Sequence, residues 1–279
     1  MEALKTMDAL KTMEVMTMKT DIAMISNGNN GLIYRCLLSI SSHISSRELG
    51  TIALAWNGDK KELEKVKKHA SGLNLQLKAI ETPYHFSKNN NKLVDELCGS
   101  ECIMFLNDDV ELKDNFAHQA MNILVHDSSS GFVGCKLVRG DDTIQHAGVI
   151  AFVDEAGNLV GPAHWFYDHK DSKDIPDITP LAVTGACMMC RRELFNALGG
   201  FNEEYEEGFQ DFELCLKAVM ENKMNICLNS CSQLHDESAT RNPKVLPRDS
   251  EALAAFWRKS IPKLMKSSSR SCIGIVERN

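Results

Sequence analysis

Apolar residues gather along this chain in short unbroken runs, each closed by a polar break and most followed by a segment with helical spacing. The sharpest run is 102–106, CIMFL, which stops at Asn107, Asp108 and Asp109. Four to six apolar residues bounded by turn formers predict a strand buried on both faces. The same pattern predicts strands at 22–25, at 51–56 ahead of Asn57-Gly58-Asp59, and at 73–80 ahead of Pro83. Between them, 32–41, 60–70 and 92–98 carry apolar residues at helical spacing, Leu63 and Val66 among them. Strands alternating with helices, with polar loops after the strands, predict an α/β fold: a mostly parallel central sheet flanked by helices, Rossmann-like in arrangement. Every early loop then opens on one sheet edge, together with Asp108 and Asp109. Ligands of open α/β sheets bind at that edge.

The later pattern is less regular. Residues 132–138 predict a strand, 144–153 a further strand or hairpin partner, and 154–180 a long polar loop bearing His164, Trp165, Phe166, Tyr167 and His169. Loops of that length in compact domains are usually functional or mobile, and the aromatics of this one either pack onto the body or line a ligand face. Residues 181–190 predict a buried strand whose Gly185-Ala186 pair admits a close approach. A helix at 192–198 ends at Gly199-Gly200, another starts at Asp211, and a short strand at 225–228 precedes a loop holding His235 and Arg241. Residues 1–20 carry a short tandem repeat read as an extension with a frayed amphipathic helix; 21–262 form the main domain and 263–279 a polar tail.

Composition narrows the function. With 279 residues, 43% hydrophobic and 25% charged, the chain suits one large globular domain. A net charge of -7 offers no broad field for nucleic acid or an anionic membrane, so a diphosphate ligand would need a local cation. Ten cysteines without regular spacing fit buried thiols in a reducing, cytoplasmic setting, and Cys187-x-x-Cys190 lacks the second pair a zinc site needs. No apolar run nears the ~20 residues of a transmembrane segment, leaving at most a peripheral membrane association. The first turn, SNGNNG at 26–31, lacks the G-x-G-x-x-G spacing of a dinucleotide site, and no Walker loop is present.

Four sites carry candidate chemistry, the first three each with a plainer alternative. Asp108 and Asp109 form either a solvated turn or a metal site, since adjacent carboxylates need a positive partner and hard cations favour oxygen. Asp211 is either a helix cap or a carboxylate aimed into the cleft as a general base. His235 is either structural or an imidazole ligand completing a mixed O/N site that favours manganese over calcium. Arg241 offers a fork of donors for a diphosphate.

The ordered set NDD at 107–109, QHAGV at 145–149, VTGACM at 183–188, GGFNEEYEEGFQDFELCLKA at 199–218 and HDESATR at 235–241 resembles glycosyltransferase family 2, especially its rhamnosyltransferase-like members. The resemblance spans about residues 21 to 260. It implies a GT-A fold and an inverting, metal-dependent enzyme using Mn2+ or Mg2+. The partners implied are a nucleoside-diphosphate sugar donor, a UDP-sugar first, and a glycan acceptor. By position, Asp109 and His235 would bind the metal with Asp108 beside them, and Asp211 would be the base. Ser26, Asn27, Asn57, the loop 86–91 with Lys88 and Asn91, Asn107, Asp108, Gly185, Ala186 and Arg241 would surround the nucleotide sugar. Trp56 stands where many relatives carry an Asp that reads uracil, implying that base recognition rests on stacking or on another group. His146, Trp165 and Gln210 would face the acceptor. Competing readings are a sugar nucleotidyltransferase and a non-catalytic sugar-nucleotide or glycan-binding module.

Overall fold

The structure is a computed structural model that describes residues 18–153, 159–206, 208–236, 247–266 and 275–277. The expected N-terminal helix and Arg241 lie outside these residues.

The chain runs β1 (Thr20–Ser26), α1 (Asn30–His43), β2 (Leu49–Trp56), α2 (Lys60–Gly72), β3 (Leu77–Glu81), α3 (Phe86–Leu97) and β4 (Cys102–Leu106). These strands are parallel, in the order β3-β2-β1-β4, so all four carboxyl ends share one edge. Then follow β5 (Val110–Glu111), α4 (Phe116–His126), β6 (Ser130–Val138), β7 (Ile144–His146), β8 (Val149–Val153), β9 (Leu159–His164) and β10 (Cys187–Arg191). The chain continues with α5 (Arg192–Ala197), α6 (Gln210–Met220), β11 (Met224–His235), α7 (Pro247–Lys266) and β12 (Ile275–Glu277). β10 joins the parallel block antiparallel to β4, and the sheet extends through β6 and β11 to β5, making it mixed. Apolar side chains of α1, α2 and α4 cover one face of this sheet, and those of α3, α5, α6 and α7 cover the other.

At the amino ends of the parallel strands, Asp21 braces the block. Its buried carboxylate accepts from Thr51 N at 2.6 Å and from Gly99 N and Ser100 N, each at 2.7 Å. This leaves the opposite edge free for loops, where Gly28 (φ +87°) and Gly58 let the first two turns touch. A Cβ on Gly58 would lie 2.8 Å from Gly28 Cα.

Several boundaries differ from expectation. The polar stretch at 86–91 forms the first turns of α3, capped by His85, because Ser87, Asn89 and Asn90 are buried against the sheet instead of solvated. The expected strand at 73–80 begins only at Leu77, since α2 runs on to Gly72 and Asn74 turns the chain at φ 57°. The strand expected at 181–190 is hydrogen-bonded as β10 only from Cys187. β11 is three times longer than the 225–228 run, its polar half held through the irregular step between Leu228 and Ser232. The described cysteines are buried free thiols, and Cys187 and Cys190 lie within β10 as expected of strand residues. No helix among the described residues is long and apolar enough to cross a membrane.

Candidate active site

The acid motif follows β4 at the loop-bearing edge. Asn107 O accepts from Val110 N at 3.2 Å, so Asp108 and Asp109 occupy the middle of a tight turn. This turn is not solvated: Asp108 is 3% and Asp109 7% exposed. It leads directly into β5, whose antiparallel pairing with β11 sets His235 opposite Val110. Asp236 N also donates to Asp109 O at 3.1 Å. Acid and imidazole, 126 residues apart, thereby meet with His235 Nε2 at 3.1 Å from Asp109 Oδ1. The other ring nitrogen, Nδ1, lies 2.5 Å from Gln145 Oε1.

Asp108 is held differently. The Ser26 hydroxyl, which accepts from Gly28 N at 3.2 Å, donates to its carboxylate, while Asp108 Oδ2 is buried without a partner. Burial, reinforced by the charge of Asp109 and opposed by the Ser26 hydrogen bond, pushes the Asp108 carboxyl up to about 7. Among the described residues no three His, Cys, Asp or Glu side chains gather as a metal cage. Of the expected trio, Asp109 and His235 are in contact, while the Asp108 carboxylate is bonded to Ser26.

The Asp109–His235 pair fits a divalent cation. The Nε2–Oδ1 contact can be bridged by a proton on Nε2 donated to the carboxylate, or by a cation that takes that proton's place. Neighbouring positions of an octahedral ion with ligands at about 2.1 Å lie about 3 Å apart, close to the observed separation. Magnesium-like ions commonly take only one or two carboxylates from protein and the remainder from water and substrate phosphates, so two protein ligands suffice.

Asp211 enters from α6. Phe209 precedes this helix in the left-handed region (φ 72°) and provides no side-chain cap. The Asp211 carboxylate accepts from Gly185 N at 2.8 Å through Oδ2 and from Phe212 N at 2.8 Å through Oδ1. Next to Gly185, Ala186 O accepts from Asn107 N at 2.9 Å, and Cys187 pairs with Leu106. Two peptide links therefore join Asp211 to the acid motif. Asp211 is half-buried, serving its own helix and the Gly185 turn at once.

The remaining predicted residues divide. Ser26, Asn27, Asn57 and Asn107 lie at the loop edge, where Asn57 Nδ2 donates to Asn27 Oδ1 at 3.1 Å. Trp56 does not offer a stacking face: it is 1% exposed, packed in the core beneath the two glycine turns, with Nε1 donating to Asp59 O. Asn91 bonds Phe201 N and O at 2.9 Å each and Glu203, which uses both amide hydrogens and one of the two lone pairs of its oxygen. Lys88 is exposed on α3. The closeness that Gly185 permits is to protein: a Cβ there would lie 3.0 Å from Phe86 Cζ and 3.4 Å from Asp211 Cβ. Trp165 packs with Phe166 over Ile144, Ala147 and Ile175, the bland alternative to an acceptor face. His146 is buried, with Nδ1 3.1 Å from His164 Nδ1, and burial holds its ring well below the usual imidazole range. Gln210 is 5% exposed, with Oε1 buried and unpartnered beside Asp211.

Two neighbours went unnoticed individually. Gln145 stood inside a quoted motif without a role. Arg35 on α1 pairs with Asp236 and, at 3.0 Å, with Glu111, tying that helix to both strands of the acid–imidazole corner. A lone helical Arg reads as solvated, so no local signal marked it.

No family model matches the chain. It is 31% identical over 185 residues to the O-antigen biosynthesis protein RfbC of Myxococcus xanthus, covering 63% of this chain and 13% of that protein. It is also 34% identical over 182 residues to the uncharacterized protein y4gI of Sinorhizobium fredii, covering 63% and 19%. The chain thus spans less than a fifth of the length of these curated relatives. Among solved structures it superposes on GalNAc-T7 crystallised with UDP, GalNAc and Mn2+, with a TM-score of 0.63 and 13% identity over 80% of this chain and 44% of that one. It superposes on Staphylococcus aureus TarS with a TM-score of 0.60 and 14% identity, over 90% of this chain and 40% of that one. The mixed sheet, its loop-bearing edge and these neighbours give the chain the GT-A fold.

Proposed function

We propose that this domain is a divalent-metal-dependent, inverting glycosyltransferase that moves a sugar from a nucleoside-diphosphate donor to a hydroxyl of a glycan acceptor. The observation that carries this reading is the meeting of Asp109 and His235 at 3.1 Å, on the same edge to which Asp211 is bonded through Gly185. Asp109 and His235 would hold Mn2+ or Mg2+, which when bound supplies positive charge for the departing diphosphate. The GalNAc-T7 neighbour, crystallised with UDP and Mn2+, supports that choice of ion and makes a UDP-sugar the first donor to test. The sequence resemblance makes rhamnose the first sugar.

Asp211 acts as the base. Two backbone N–H groups fix its carboxylate, and each oxygen keeps a second lone pair for the proton of an acceptor hydroxyl. As that proton moves to Asp211, the hydroxyl oxygen bonds to the anomeric carbon. The carbon–oxygen bond to the nucleotide breaks with its electron pair leaving on the diphosphate. Attack opposite the leaving group inverts the centre in one step, through a transition state of oxocarbenium character.

The direct test is incubation with a panel of nucleotide sugars, Mn2+ and glycan acceptors, with nucleoside diphosphate as readout. Release that depends on both metal and acceptor is expected. Pyrophosphate in its place would identify a nucleotidyltransferase, and donor binding without any turnover would identify a binding module.

A further inference from the structure

The Asp109–His235 pair can hold a cation only if the imidazole offers Nε2 as a lone pair. Which ring nitrogen carries the proton is set by what the other one meets. Here Nδ1 meets Gln145 Oε1 at 2.5 Å. An amide oxygen has only lone pairs to give, so this contact places the N–H on Nδ1.

The fold delivers Gln145 to this point. In β7 its neighbours Ile144 and His146 are both buried, and side chains along a strand alternate between faces. Ile144 N is also anchored to His169 O at 2.8 Å. β6 lies between β7 and β11, with Val138 paired to Ile144 on one side and to Leu234 on the other. Gln145 sits between Ile144 and His146, at the register shift opposite Leu137 and Val138, while His235 is one residue past Leu234, so the two side chains meet at the carboxyl end of β6. The amide is only half-buried and has no core to fill. Nothing in packing alone demands it.

We propose that Gln145 is a positioning residue: its amide oxygen fixes His235 in the Nδ1–H tautomer and so presents Nε2, beside Asp109, to the cation. This rests on reading Asp109 and His235 as the cation site. Outer partners of this kind are typically worth 10- to 100-fold in metal affinity. A carboxylate at position 145 keeps the acceptor, whereas Leu removes it and Asn withdraws it by one methylene.

The test titrates Mn2+ into the whole chain, with and without UDP, following free Mn2+ by electron paramagnetic resonance. It compares the wild type with Gln145→Leu, Gln145→Asn, Gln145→Glu and Asp109→Ala. Gln145→Leu and Gln145→Asn should each weaken Mn2+ binding by about 10- to 100-fold, Gln145→Glu should retain it, and Asp109→Ala should abolish it. In metal-free protein with 15N-labelled histidine, the His235 signal, identified by its loss in His235→Asn, should report a proton on Nδ1 and shift in Gln145→Leu. Mn2+ affinity within twofold of wild type in both Leu and Asn variants, with Asp109→Ala inactive in binding, would overturn the role of Gln145 and leave the cation site standing. A metal-free proton found on Nε2 alone would overturn it equally. Unchanged affinity in Asp109→Ala would remove the cation site and this inference with it.

Discussion

Replacing Asp108 by Asn isolates the electrostatic cost of the buried acid turn. The Asp108 carboxyl is pushed up to about 7 from its ordinary 3.8, first by burial and then by Asp109, against the Ser26 hydrogen bond. A raised carboxyl binds its proton more tightly in the folded chain than in the unfolded one. Between the two values the folded state therefore holds the extra proton, and stability falls as pH rises, by about 1.4 kcal/mol per pH unit. The full penalty of the ionised form is about 4 kcal/mol, fully developed above the folded value. Between pH 5 and pH 8 the wild type should lose about 2–3 kcal/mol that Asp108→Asn does not lose. The Asn amide, which brings donors to a site where Oδ2 has no partner, adds a cost of its own, but one independent of pH. The quantity to measure is thus the change with pH in the stability difference, from urea unfolding of both proteins in chelator at pH 5, 6, 7 and 8. The variant should gain on the wild type steadily up to about pH 7 and then run parallel. Saturating Mn2+ at pH 8 should shrink the gap. A difference that stays flat from pH 5 to 8, or that moves in favour of the wild type, would refute a proton held on Asp108.

Other changes separate the parts of the site. Asp211→Asn should lower turnover by about 100- to 10,000-fold while leaving donor affinity in Mn2+ near wild type, measured by product release and calorimetry. Asp109→Ala should abolish the chelator-sensitive component of donor binding. Gly185→Ala brings a methyl to 3.0 Å from Phe86 Cζ and 3.4 Å from Asp211 Cβ. It should cost about 1–3 kcal/mol of stability and reduce turnover more than donor affinity. Asp21→Ala, which strands the buried Thr51 N–H and removes the acceptor of the part-buried Gly99 and Ser100 N–H groups at the far end of the sheet, should cost about 1–3 kcal/mol in urea unfolding yet leave turnover per folded molecule unchanged.

How far the sequence reveals this arrangement depends on how much local pattern each element carries. β4 is legible to the residue, because five apolar positions closed by Asn-Asp-Asp satisfy both burial and turn chemistry. The first turns of α3 are not, because Ser87, Asn89 and Asn90 are polar yet buried and look like loop until tertiary packing supplies their place. The polar half of β11 is hidden for the same reason. Gln233 is fully buried but accepts from Lys113 N at 2.7 Å and donates to Asp114, a satisfaction that no local window displays. Within the site, Asp109, Asp211 and His235 were identifiable from a motif set with its order and spacing. Trp56 misled, since a large aromatic at a strand end suits a stacking platform and a core plug equally. The two facing glycines, Gly28 and Gly58, close the turns over it and decide for the core.

Departures from local rules also cluster where chemistry is expected. Among the described residues, six non-glycine residues have positive φ; four are Asn or Asp, which tolerate that region, and the two others are Phe166 and Phe209. Phe209 stands two residues before Asp211, and the buried Gln210 Oε1 between them has no partner. Asp108 Oδ2 adds a second orphaned oxygen at the same sheet edge. A left-handed non-glycine residue costs about 1–2 kcal/mol, and each buried acceptor left unpaired about 1–3 kcal/mol. The fold sustains these costs with the Asp21 brace at the opposite end, where three N–H groups converge on one carboxylate. Asp108 Oδ2 and Gln210 Oε1 are acceptors suited to a ligand that brings hydroxyls and positive charge. A sugar nucleotide with its cation brings both.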